Sequence, residues 1–120
     1  MIIELIGTSG SFMLIDNRNI FSLSPGIINA IGIDYTIKTL SPSEIVKLTK
    51  LNPRFLAKQG KDVVNLKVVQ SVVYKINKSL EFHGSDGVEI IFRNVSQKDA
   101  DIIIKRWREA RTGVRIEYAK

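Results

Sequence analysis

Residues 79–92 read S-L-E-F-H-G-S-D-G-V-E-I-I-F, and after Arg93, Asn94 and Val95 the chain continues S-Q-K-D-A-D-I-I-I-K-R-W over 96–107. The first stretch predicts a β-hairpin, because two runs of branched and aromatic residues flank His83-Gly84-Ser85-Asp86-Gly87, which has the composition of a turn. Leu80 and Phe82 then share a face with Val88, Ile90 and Phe92 as core candidates. The second stretch predicts a helix. Ser96 is its cap, Asp99 follows three residues on, Val95 precedes the cap, and Gly113 stands where a left-handed residue would end it. Ala100, Ile103, Ile104, Trp107 and Ala110 recur at helical spacing and make one apolar face, which needs a sheet to dock on.

Upstream of the hairpin, Val63, Val64, Leu66, Val68, Val69, Val72, Val73, Tyr74 and Ile76 predict two strands with a bend at 65–67. Ser41-Pro42-Ser43-Glu44 predicts a helix start: a hydroxyl cap, proline at the first helical position and glutamate three residues past the cap form a capping box. Ile45, Leu48 and Leu51 give that helix its apolar stripe, Asn52-Pro53 closes its first piece, and 54–58 add a further turn that Gly60 ends. At the start, 2–6 and 11–15 predict a hairpin about Gly7-Thr8-Ser9-Gly10, with 20–23 as a third antiparallel strand. Residues 27–33 fit a short helix or a strand, 35–40 lean to strand, and 114–118 fit a tail or an edge strand. The expected fold is a single α+β domain over 1–120: a bent antiparallel sheet or partly open barrel closed by the C-terminal helix, with a helical insertion near 42–58.

A chain of 120 residues with 44% hydrophobic and 25% charged residues has the composition of a folded domain. It contains no cysteine and only one histidine, His83, which excludes disulfide frameworks, thiol catalysis and multi-histidine metal centres. No apolar run is long enough to span a bilayer and no secretory signal opens the chain, so a cytoplasmic location is expected. Isoleucine is abundant, a bias shared by AT-rich genomes and heat-adapted proteins.

The formal charge of +6 is unevenly distributed. Lys47, Lys50, Arg54, Lys58 and Lys61 are the densest basic feature, and steps of three, four and four through Lys58 would form one cationic stripe on a continuous helix. Such a stripe suits phosphates of nucleic acid or an anionic surface, or simply keeps the face solvated. His83 with Asp86 could form a base and its partner, but no nucleophile accompanies them, and a turn histidine explains the pair. Trp107 lies on the apolar face of its helix, which makes it a core residue before a stacking platform.

Taken together, 62–112 resemble the second half of pleckstrin-homology-like domains, including the bacterial, archaeal and GRAM types, and 11–24 resemble their early strand-turn-strand more weakly. The resemblance implies a seven-stranded bent barrel plugged by a helix in which Trp107 is buried, and a role in protein docking. The basic K-x-n-R pattern of phosphoinositide-binding members has no counterpart in Gly7-Thr8-Ser9-Gly10. A shorter segment, I-I-N-A-I-G-I-D-Y-T-I over 27–37, is similar to viral ring nucleases, where a histidine occupies the place of Ile33; isoleucine cannot act as acid or base, so any such relative would be catalytically dead. The leading expectation is a non-enzymatic PH-like binding or scaffolding module with no cofactor or metal, a protein partner and a possible homodimer. The alternative is a nucleic-acid-binding protein that uses the basic stripe at 47–61.

Overall fold

The branched runs form short strands and both capped segments form helices in the computed structural model, which describes residues 1–7, 9–37 and 40–111. In chain order these are β1 (Ile2–Ile6), β2 (Phe12–Asp16), β3 (Ser22–Ser24), β4 (Ile27–Asn29), β5 (Asp34–Thr36), α1 (Pro42–Thr49), β6 (Leu56–Gln59), β7 (Asp62–Asn65), β8 (Ser71–Tyr74), β9 (Leu80–His83), β10 (Glu89–Phe92) and α2 (Gln97–Ala110). They build three antiparallel sheets: the hairpin β1-β2, a five-stranded sheet in the order β5-β4-β3-β7-β6, and a three-stranded sheet in the order β10-β9-β8.

The two-residue period of the strands places the cores. Leu23, Ile28, Leu56 and Val63 leave one face of the five-stranded sheet and meet Ile15 of the hairpin and Ile45 of α1. Ala57 and Val64 leave the other face and, with Phe21 just before β3, meet Leu80, Phe82, Phe92 and Ala100 of the three-stranded sheet and α2. Around β7 the central sheet is therefore covered on both faces. Close approach of the two larger sheets depends on Gly84, where a Cβ would stand 2.8 Å from the Phe21 ring and from Val88.

The helices begin where the sequence predicts. Ser41 Oγ accepts from the Glu44 amide while Glu44 Oε1 accepts from the Ser41 amide, both at 3.3 Å, which completes the capping box. Ser41→Ala is expected to cost about 1 kcal/mol of stability, measured by urea unfolding, since the helix then loses the side-chain acceptor for its first-turn amide. Ser96 Oγ accepts from the Asp99 amide at 3.2 Å and caps α2. On α2 the expected face docks, with Ala100 fully buried and Ile103, Ile104 and Trp107 packed against the core. The Trp107 indole donates from Nε1 to the Val69 carbonyl at 3.0 Å, which ties α2 to the chain between β7 and β8.

Several expectations need correction. The sheets do not close into a barrel: β3 leaves the hairpin β1-β2 and pairs with β4 and β7, so the first three strands are not one meander. Helix α2 lies against the turns beside the central sheet and does not plug a barrel mouth. Residues 27–33 hold the strand β4 and a turn in which Ile31 and Gly32 both take positive φ. The helical insertion ends at Thr49, because Lys50 adopts the left-handed conformation with φ 57°; only a single 3-10 turn follows at Pro53–Phe55, and 56–58 belong to strand β6. Leu48 is consequently 61% exposed, and Thr49 takes the core position, its hydroxyl donating to the Ile45 carbonyl at 2.7 Å. Gly113 and the strand or tail expected at 114–118 lie outside the described residues.

Candidate nucleic-acid interface

Three short turns of like construction present cations at one end of the central sheet. Asp16 accepts at 3.0 Å from the Arg18 amide, Asn52 at 3.0 Å from the Arg54 amide, and Asn65 at 3.2 Å from the Lys67 amide. In each, an Asx side chain reaches two residues ahead and locks a 3-10 turn, at Asn17–Asn19, Pro53–Phe55 and Leu66–Val68 respectively. The residue whose amide is captured is Arg, Arg and Lys.

Topology brings these turns together. The first leads into β3, the second leads into β6, and the third leaves β7, and these are adjacent strands in the order β3-β7-β6. Asn65 sews two of the turns to one another: its amide donates to the Phe21 carbonyl at 2.8 Å and its side-chain nitrogen to the Ile20 carbonyl at 2.9 Å. Both helices end here too. Asn17 Nδ2 donates to the Thr49 carbonyl at 2.9 Å, which holds the C-terminus of α1, and with it Lys50, beside the first turn. Arg111 donates from its guanidinium to the Lys67 carbonyl at 2.9 Å, which fixes the end of α2 to the third. Phe55 stands between two cations, 5.7 Å from the Arg54 guanidinium and 5.5 Å from the Lys67 ammonium, a distance at which the ring face attracts both.

The five cations differ in how far they are already neutralised. Arg18 grips Asp16 through both carboxylate oxygens, the shortest bond being 2.6 Å, and this holds the Asp16 carboxyl well below the usual carboxylate range. Arg54 pairs with Glu109 of α2 at 3.0 Å. Lys50, Lys67 and Arg111 have no ion-pair partner among the described residues, so they carry the most available charge.

The predicted stripe is divided by this arrangement. Lys50 and Arg54 join Arg18, Lys67 and Arg111, none of which the stripe included. Lys58 and Lys61 stand at the opposite end of the sheet, by the β6-β7 turn, where with Pro25 and Ser41–Ser43 they line a shallow cleft of about 270 Å³. Lys47 is exposed on α1. One continuous helix does not exist, so the spacing of three, four and four has no geometric meaning past Lys50. The signal that could have found the new cluster is the repeat of an Asx residue two before a cation, in D-N-R at 16–18, N-P-R at 52–54 and N-L-K at 65–67.

His83 does not partner Asp86. Its Nε2 lies 3.1 Å from Glu81 and its Nδ1 3.5 Å from Glu89. Lys75, 2.7 Å away, is the larger cause of the lowered pKa of Glu81, with His83 second. This is a surface ion-pair network on the three-stranded sheet. Among the described residues no three His, Asp or Glu side chains are grouped to hold a metal ion.

No protein-family model matches the chain, and no curated protein matches its sequence. Among solved structures, the chain is similar in fold to a LytTr DNA-binding domain from Bacillus cereus, with a TM-score of 0.60 and 15% identity over 88% of this chain and 94% of that one. The likeness overturns the resemblance to pleckstrin-homology-like domains. The difference lies in the strands before the last hairpin and helix, which here form a separate hairpin and a five-stranded central sheet in place of a barrel wall. The chain is an α+β domain of short antiparallel strands and two helices. Among the described residues no helix is long and apolar enough to cross a membrane.

Proposed function

We propose that the chain binds double-stranded DNA with the turn-bearing end of its central sheet, using Arg18, Lys50, Arg54, Lys67 and Arg111. The observation that carries this reading is the convergence of three Asx-locked turns, each with a cation at its second position, on adjacent strands. Neighbouring strands stand roughly 4.8 Å apart, so turns on three of them span about 10 Å, close to the roughly 12 Å width of a major groove. The locked turns hold their cations without cost in loop ordering, and the paired carboxylates of Asp16 and Glu109 orient the two guanidinium groups toward planar, bidentate contacts. The name of the similar Bacillus cereus domain, a DNA-binding one, agrees with this use of the fold.

Fluorescence anisotropy with a labelled duplex across a salt series tests the proposal. Each phosphate neutralised contributes about −0.9 to the slope of log K against log salt, so the three cations without a carboxylate partner, Lys50, Lys67 and Arg111, predict a slope of at least about −2.7. Absence of binding at low salt, or a slope shallower than about −1, overturns it.

A further inference from the structure

The hairpin β1-β2 carries a second surface of a different kind. Its register pairs Ile2 with Asp16, Glu4 with Leu14 and Ile6 with Phe12, so these six side chains share the face turned away from the core. Ile3, Leu5 and Ile15 occupy the inner face, where Ile15 is buried. On the outer face, Ile2 is 60% exposed, Ile6 76%, Phe12 66% and Leu14 60%. A two-stranded hairpin is marginal in water by itself, and an exposed apolar patch of several hundred Å² is often a functional surface.

We propose that this face is the seat of a second copy of the chain, giving a two-fold dimer in which the outer faces of two β1-β2 hairpins pack together. Three observations select that occupant. The first is area: the four apolar side chains leave about 500 Å² in water, so two copies cover about 1,000 Å² between them, the threshold for a specific interface. The second is charge. Residues 1–17 contain no Lys or Arg, and Glu4 stands in the middle of the face, which disfavours DNA or an anionic lipid surface there. The third is self-complementarity. A two-fold axis running along the strands sets β1 of one copy over β2 of the other. Phe12 of each copy then stacks on Ile6 of the other, and Leu14 lies over Glu4, so the two carboxylates do not oppose one another. Asp16, at the base of the face, is already neutralised by Arg18 and by the terminal amine 3.7 Å away.

The dimer is independent of DNA binding, and its test is made without DNA. Sedimentation equilibrium of the full chain is expected to give a monomer–dimer equilibrium with a Kd on the order of 10 µM. Phe12→Lys and Leu14→Lys, made separately at exposed positions, are each expected to raise that Kd by about 100-fold with unchanged circular dichroism. Val73→Lys, on the exposed side of the edge strand β8, is expected to leave it unchanged. A wild-type chain that stays monomeric overturns the proposal, and so does one that is monomeric and floats with phosphatidylcholine vesicles. Dimers that survive both hairpin substitutions place the contact elsewhere and overturn it equally.

Discussion

Phe82→Ala is expected to remove about 4 kcal/mol of folding stability, the largest loss from any single truncation considered. Phe82 is wholly buried and its ring meets Phe92 edge-on at 4.9 Å between centroids and 70° between planes, the arrangement the aromatic quadrupole favours. It sits on the middle strand of the three-stranded sheet, opposite Ile90 on one side and Val72 on the other. The hydrogen-bonded strands on both sides limit how far the core can collapse around the lost ring. Urea unfolding followed by Trp107 fluorescence measures the change, with a fall in the thermal midpoint on the order of 15 °C as the parallel sign. A loss below about 1.5 kcal/mol would show that the two larger sheets are not packed through this ring.

The second large effect is on DNA. Lys50→Glu combined with Lys67→Glu is expected to weaken binding to a duplex by about 100-fold or more at low salt, because each reversal removes one attraction and adds one repulsion at a phosphate. Both side chains are exposed and without an ion-pair partner among the described residues, so the thermal midpoint should fall by only about 5 °C, for the lost Lys67–Phe55 contact and the acid placed at the end of α1. Lys58→Glu combined with Lys61→Glu makes the same change in net charge at the opposite end of the sheet. If position matters more than total charge, that variant loses less than about threefold. Equal losses in the two variants would mean that attraction is spread over the whole surface and that the Asx turns have no special part.

How far these features could be read beforehand depended on the range of the interactions that create them. The caps of both helices were legible at Ser41 and Ser96 because a cap is settled within four residues. The β9-β10 hairpin was legible for the same reason, and its inward set of Leu80, Phe82, Ile90 and Phe92 follows from the two-residue period alone. The end of α1 was not: nothing in Thr49-Lys50-Leu51 announces a left-handed residue, and the turn there is stabilised by Asn17, thirty-two positions away. That one departure dissolved the basic stripe. The pairing of β3 with β7 spans some forty residues and decides between barrel and layered sheets, and local alternation carries no information about it. The cation cluster depends on this pairing, so Arg18, Lys67 and Arg111 remained separate charges until the strand order was known.

Strand β7 of the central sheet has apolar cover on both faces, and this bears on how the protein would meet a partner. That strand, paired on both sides, carries Val63 into one oily layer and Val64 into the other, so its amide protons should be among the last to exchange with deuterium. A recogniser whose fingertips spring from so stiff a slab arrives already in shape; contact with a duplex should then leave its exchange pattern nearly untouched, and any bending required would fall to the nucleic acid.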